Sequence, residues 1–277
     1  MVELIKVSGS CSFQPRSPCY NTPMVWFLVI VIISWLAGNL VNYLADFLPI
    51  ERKLVSSYCL NCKSPRNITN YLFFPRPCAS CKQRVPNRWW IVNISFILIS
   101  IYLYLNPSEK LEYWQQVILL VYLILVAVID LEHRLILHVV SVAGAFIGLY
   151  VGILLHGWES TLIGGISGLI IMYLLYLGGH LFIKILAKRR NYSDIDEALG
   201  FGDVILSGVI GLILGWPGIM LGLILAVLLA GIVSLFFLAI LLLTHRYRAN
   251  LTIAYGPYLI LSTLILVLFR DVLRSLQ

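Results

Sequence analysis

Two aspartates stand at the edges of apolar runs. Asp130 closes Val126-Ala127-Val128-Ile129-Asp130, and Asp203 follows Gly200-Phe201-Gly202 and opens the next run. A carboxylate at membrane depth is expensive, so its default reading is functional. One alone can equally mark a helix end and reach for water. Two at matching depth on separate helices can meet across a bundle. Carboxylates that close cannot both ionise, and they share one proton. The ionised member can then take a proton from water while its partner donates to a scissile carbonyl oxygen. Such a pair titrates as a unit. The glycines add a geometric reason, because glycine permits backbone approaches that a Cβ would block. Gly200 and Gly202 are therefore expected to leave room for a substrate backbone beside Asp203.

Positioning these groups falls to membrane helices. The chain has 277 residues, 60 % hydrophobic and only 12 % charged, against about a quarter charged in a soluble domain. Its apolar runs approach the roughly 20 residues that cross a bilayer. Spans are expected near Met24–Phe47, Trp89–Leu105, Trp114–Ile129, Leu135–Leu155, Thr161–Leu186, Val204–Trp216, Gly218–Leu243 and Leu251–Phe269. The fold class is thus an all-α polytopic membrane protein of about eight transmembrane helices. The third and sixth spans are short and abut the aspartates. Helix should continue through both, since bare backbone in lipid goes unsatisfied. The first span is too long, and begins too late, for a cleaved signal peptide.

Four regions follow. Residues 1–23 form an outer tail, 24–48 the first helix, 49–88 a polar loop, and 89–277 a seven-helix bundle without internal repeats. Orientation follows from charge. Arg52, Lys53, Lys63, Arg66, Arg76, Lys82, Arg84, Arg88, Arg134, Lys184, Lys188, Arg189, Arg190, Arg246 and Arg248 share one side. Lys6, Arg16, Lys110, Arg270 and Arg274 face the other. Fifteen of the 20 basic residues on one side make it cytoplasmic. The net charge of +7 reports topology and anionic lipid contact, not nucleic-acid binding. Both aspartates then lie at cytoplasmic helix ends.

The same side carries Cys59-Leu60-Asn61-Cys62 and Cys78-Ala79-Ser80-Cys81, with residues 63–77 between the pairs. Four thiolates at this spacing suit a structural zinc, with reduced or redox-active thiols as the plainer alternative. A cytoplasmic position disfavours disulfides, whereas Cys11 and Cys19 in the outer tail can pair or stay free. Trp89, Trp90, Trp114, Trp158 and Trp216 read as an interfacial belt. Gly164–Gly168 and Gly208–Gly215 read as sites of close helix packing. His133 and His138 lack partners at metal-ligand spacing and read as structural or interfacial.

Taken in order, several segments resemble the type IV prepilin peptidases (leader peptidase/N-methyltransferase), membrane proteases of the Gly-x-Gly-Asp class. Gly38-Asn39-Leu40-Val41-Asn42 with Leu48-Pro49 is similar to the family's first-helix motif, and the two Cys-x-x-Cys pairs to its loop. Ile129-Asp130 and Glu197-Ala198-Leu199-Gly200-Phe201-Gly202-Asp203 resemble its catalytic segments, and Tyr255-Gly256-Pro257-Tyr258 its last-helix motif. The resemblance implies that Asp130 and Asp203 cut a short basic leader from prepilins or pseudopilins, just after a glycine, at the cytoplasmic face. It adds a substrate-side role for Asn42 to the one that backbone geometry gives Gly200 and Gly202. Asp194, Asp196 and Glu197 form an acidic group suited to a basic leader, although a solvated charge cluster is the commoner reading.

Many relatives in that family also methylate the new amino terminus with S-adenosylmethionine, and the cysteine-loop region is implicated. Here the position after the second cysteine pair that often holds glutamate is Asn93, which leaves methyl transfer open. Other departures are Leu137-His138, where the family continues Pro-Asp or Pro-Asn, and Ile205, where it usually has lysine. The rival classes are a non-catalytic pilus or secretion assembly factor and an ion-coupled transporter. The latter should carry inverted repeats and broken helices, and neither is visible.

Overall fold

Inside a bilayer every backbone N–H and C=O must find its partner within the protein, which helices achieve residue by residue. The computed structural model describes residues 24–52, 57–59, 61–65, 73, 77–82, 84–190, 200–243 and 255–268. Cys11, Cys19, Asp194, Asp196 and Glu197 lie outside the described residues. Eight helices run through the described part: α1 (Met24–Glu51), α2 (Asn87–Leu105), α3 (Tyr113–His133), α4 (His138–His156), α5 (Trp158–Arg190), α6 (Phe201–Leu214), α7 (Gly218–Leu243) and α8 (Gly256–Leu268). Among the described residues, β pairing is confined to one isolated bridge between Tyr58 and Pro65.

The all-α membrane fold is borne out, with a refinement of the spans. Six helices are long and apolar enough to cross a membrane, while α6 and α8 are shorter apolar helices. The third helix, expected to be short, runs 21 residues because it continues through Asp130 to His133. Its start is fixed by reciprocal capping between Glu112 and Gln115. Its end is fixed by Arg134, whose left-handed backbone (φ 51°) turns the chain and whose N–H donates to the Asp130 carbonyl at 2.9 Å. The first helix continues past Pro49 to Glu51, so the polar loop begins later than expected.

Lipid is as apolar as a leucine side chain, so membrane helices associate by close packing rather than by hydrophobic exclusion. The most extensive pair is α5–α6. A Cβ on Gly211 would strike the Gly164 carbonyl, and one on Gly164 would strike the backbone of Gly211 and Gly215. The Ser207 hydroxyl, in α6, lies 3.0 Å from the Gly168 carbonyl of α5. On the other side of the bundle, Gly38 of α1 lies against the Asn93 side chain of α2. The Ser34 and Ser100 hydroxyls meet at 2.7 Å, and Ser100 meets the Tyr113 hydroxyl at 2.6 Å, which ties α1, α2 and α3. Large side chains such as Phe146 and Leu243 point outward at 72 % and 81 % exposure, as a lipid-facing surface requires.

Of the tryptophans expected in an aromatic belt, Trp90, Trp114, Trp158 and Trp216 are exposed. Trp89 differs from them, at 2 % exposure. Its ring meets Trp35 and Trp90 edge-on at 5.1 and 4.9 Å, so it belongs to the packing of α1 against α2.

Candidate active site and metal centre

Asp130 sits in the last turn of α3 and Asp203 in the first turn of α6. Both are buried, at 5 % and 8 % exposure. A third element brings them together. Gly256 opens α8, and a Cβ there would collide with the Asp130 carboxylate while standing 3.5 Å from Asp203 Oδ1. The two carboxylates thus converge on the hydrogen-only face of one glycine, close enough for the charge of one to act on the other. Asp130 Oδ2 is buried without a hydrogen-bond partner among the described residues. An orphaned buried acceptor is costly unless something outside the fold completes it. Tyr255, next to Gly256, is within electrostatic reach of Asp203, and Arg134 of Asp130.

The two glycines before Asp203 differ. Gly202 packs against Ile136 of the α3–α4 connection, where a Cβ would come within 2.9 Å. Gly200 is exposed, has ordinary extended dihedrals (φ −74°, ψ 140°), and a Cβ there would meet Asp203 Oδ2 only at 3.6 Å. The fold therefore demands a glycine at 202 but not at 200. Asn42 is fully buried in α1 and donates to the Gly38 carbonyl at 3.1 Å, within its own helix. His133 and His138 are both exposed. His138 and Ile205, two of the departures from the family pattern, line one apolar cleft of about 380 Å³ between α4, α5 and α6. Sequence reasoning passed over Gly256 and Tyr255 as site residues. The sequence signal for them is the Tyr255-Gly256-Pro257-Tyr258 motif.

The four loop cysteines converge, their sulfur atoms all within 4.8 Å of one another. Cys59 and Cys81 approach to 3.6 Å, and Cys62 and Cys78 to 3.5 Å. A tetrahedral metal with M–S of about 2.3 Å sets S···S near 3.8 Å, so the spacing can hold an ion. Each pair forms the same tight turn. Lys63 and Lys82 adopt left-handed backbone (φ 54° and 53°) and donate to the Cys59 and Cys78 carbonyls at 2.8 and 2.9 Å. The Ser64 hydroxyl, with backbone N–H groups of Cys81 and Ser80, holds the Cys78 thiol down at about 5. Ser64 also lowers the Cys62 thiol. Thiolate is the form that binds metal, and the donor set fits a closed four-sulfur site.

A helical membrane bundle that brings two buried carboxylates onto one glycine defines a class with the means for aspartic chemistry. The comparisons with known proteins narrow it. Residues 117–235, which hold Asp130 and Asp203, match the model of the type IV leader peptidase family. The chain is 23 % identical over 287 residues to a prepilin leader peptidase/N-methyltransferase of Aeromonas hydrophila, covering 91 % of this chain and 93 % of that one. It is 24 % identical over 204 residues to the protein of that name from Pseudomonas putida, covering 74 % and 66 %. Against the Pseudomonas aeruginosa protein it is 23 % identical over 282 residues, covering 90 % and 92 %. No solved structure matches. The family resemblance read from the motifs is borne out.

Proposed function

We propose that this protein is a membrane aspartyl endopeptidase that removes the short basic leader of type IV prepilins or pseudopilins at the cytoplasmic membrane face. The observation that carries the reading is the convergence of the Asp130 and Asp203 carboxylates on Gly256, with Asp130 Oδ2 unpartnered. One carboxylate takes a proton from water as it attacks the scissile carbonyl, and the other donates to the carbonyl oxygen. Gly200, exposed beside Asp203 and free of any packing duty, leaves the approach for the substrate backbone. Gly202 acts by letting Ile136 close behind the site. Glu197 is the further substrate-side residue, by charge toward a basic leader, while the buried Asn42 serves the packing of α1. The excess of Lys and Arg on one side supports a cytoplasmic site in the inner membrane.

The Cys59, Cys62, Cys78 and Cys81 cluster is a structural zinc site in this reading, since four sulfur ligands leave no open position for catalysis. Methyl transfer from S-adenosylmethionine lies outside the proposal. Asn93 carries no carboxylate and is fully buried against Gly38.

Incubation of the purified protein with a prepilin in detergent, followed by mass spectrometry, tests the reading. The expected product begins at the residue after the leader's glycine. Intact substrate with several different leaders would favour the assembly-factor alternative instead.

A further inference from the structure

Arg88, in the first turn of α2, joins three helices. One guanidinium nitrogen bonds the Asp46 carboxylate of α1, and the other bonds the Glu132 carboxylate of α3. Arg88 and Asp46 are mostly buried, at 17 % and 13 % side-chain exposure, and Glu132 is at 37 %. A planar guanidinium is pre-organised for such a double contact, which an ammonium cannot reproduce.

The two ends of this bridge matter. Glu132 lies two residues past Asp130, in the final turn that Arg134 closes. Arg88 itself follows the second cysteine pair, and the chain enters α2 through the extended Pro86 (φ −64°, ψ 145°). The first cysteine pair is fastened to the same place. The Tyr58 hydroxyl donates to Glu51 at 2.7 Å, and its ring meets Phe47 edge-on at 5.1 Å. Both arms of the cysteine loop thus rest on the last turns of α1, and Arg88 carries that anchorage across to the turn bearing Asp130.

We propose that Arg88 is a positioning residue: through Glu132 it fixes the terminal turn of α3, and with it the Asp130 carboxylate, against α1 and the cysteine loop. The inference rests on the peptidase reading of Asp130 and Asp203. Reacting groups tolerate little displacement, and an error of about 1 Å can cost on the order of a hundredfold in rate. Arg88 reaches α3 through the Glu132 carboxylate, so its effect on Asp130 passes through that side chain. Removing either member of that bridge should therefore lose the same thing once.

The test is a double-mutant cycle on prepilin cleavage with Arg88→Met and Glu132→Gln, with Arg88→Lys as the conservative variant. Each single variant should lower kcat by on the order of tenfold with KM held within about twofold, and the double should be no slower than the slower single. Arg88→Lys should fall between wild type and Arg88→Met. A second readout does not depend on activity. Nitroxides on unnatural side chains at the exposed positions Ile50 and Leu135 report the spacing of the α1 and α3 ends. Their distance distribution should broaden in both single variants. Wild-type kcat in both variants, multiplicative losses in the double, or an unchanged distribution would overturn the proposal. If Arg88→Met does not fold, Glu132→Gln, which neutralises a partly exposed side chain, carries both readouts. Should the wild type cleave nothing, the peptidase reading fails, and the label distances still decide whether the bridge holds α3.

Discussion

The aspartate pair and the cysteine cluster are held in opposite ways. Asp130, Asp203 and Gly256 come from three different helices, and Asp130 Oδ2 bonds to nothing among the described residues. What aims the carboxylates is backbone packing behind them, with α6 locked on α5 through Gly164 and Gly211, and Ile136 lodged at Gly202. The cysteines come from two short turns in a loop, and only Cys59 and Cys78 are buried. Local hydrogen bonds at Lys63 and Lys82 shape each turn, and a shared ion would join them. A membrane site is as well placed as its helices are packed. A loop site is as well placed as its ligands are complete.

The membrane site's dependence on packing is greatest at Gly211. Gly211→Val would drive a branched side chain into the Gly164 backbone, which has no rotamer to yield. The expected loss is about 3 kcal/mol or more, read as a collapsed thermal melt in detergent. Gly256→Ala separates chemistry from packing. The added methyl meets the Asp130 carboxylate rather than backbone, so the melt should stay near wild type while cleavage falls about a hundredfold. Opposite behaviour at these two glycines would mean that packing and chemistry had been assigned to the wrong ones.

Treatment with a chelator, or Cys59→Ser with Cys78→Ser, should act on the other region. Limited proteolysis should then cut within 57–82 while the bundle melts as before. Cleavage should fall by about tenfold at most, a coupling of the size that travels between distinct sites. Gly200→Ala is the mildest. It has room for its methyl, so stability should not change, whereas KM should rise about fivefold if the substrate backbone passes there. Parallel melting curves and initial rates check both.

Much of the site was legible because charge is rare in this chain. Asp130 and Asp203 stand out against apolar runs, and the cysteine spacing is a local pattern that one turn of chain can satisfy. Helix continuation through Asp130 followed from the cost of bare backbone in lipid, and α3 indeed runs to His133. What stayed hidden depends on partners distant in sequence. That Gly256 is the meeting point of the aspartates, that Gly202 accommodates Ile136, and that Trp89 is buried by Trp35 all require the tertiary arrangement. Arg88 reads in sequence as one of many cytoplasmic basic residues. Only the approach of α1 and α3 singles it out.

In the proposed mechanism Asp130 and Asp203 work as one pair. Asp130→Asn and Asp203→Asn keep size and burial while removing one ionisable group each. Initial rates of prepilin cleavage by the two purified single variants should both fall by at least about a thousandfold, and the double variant should be no slower, because members of one catalytic unit do not add. Cleavage near the wild-type rate by either single variant would contradict it.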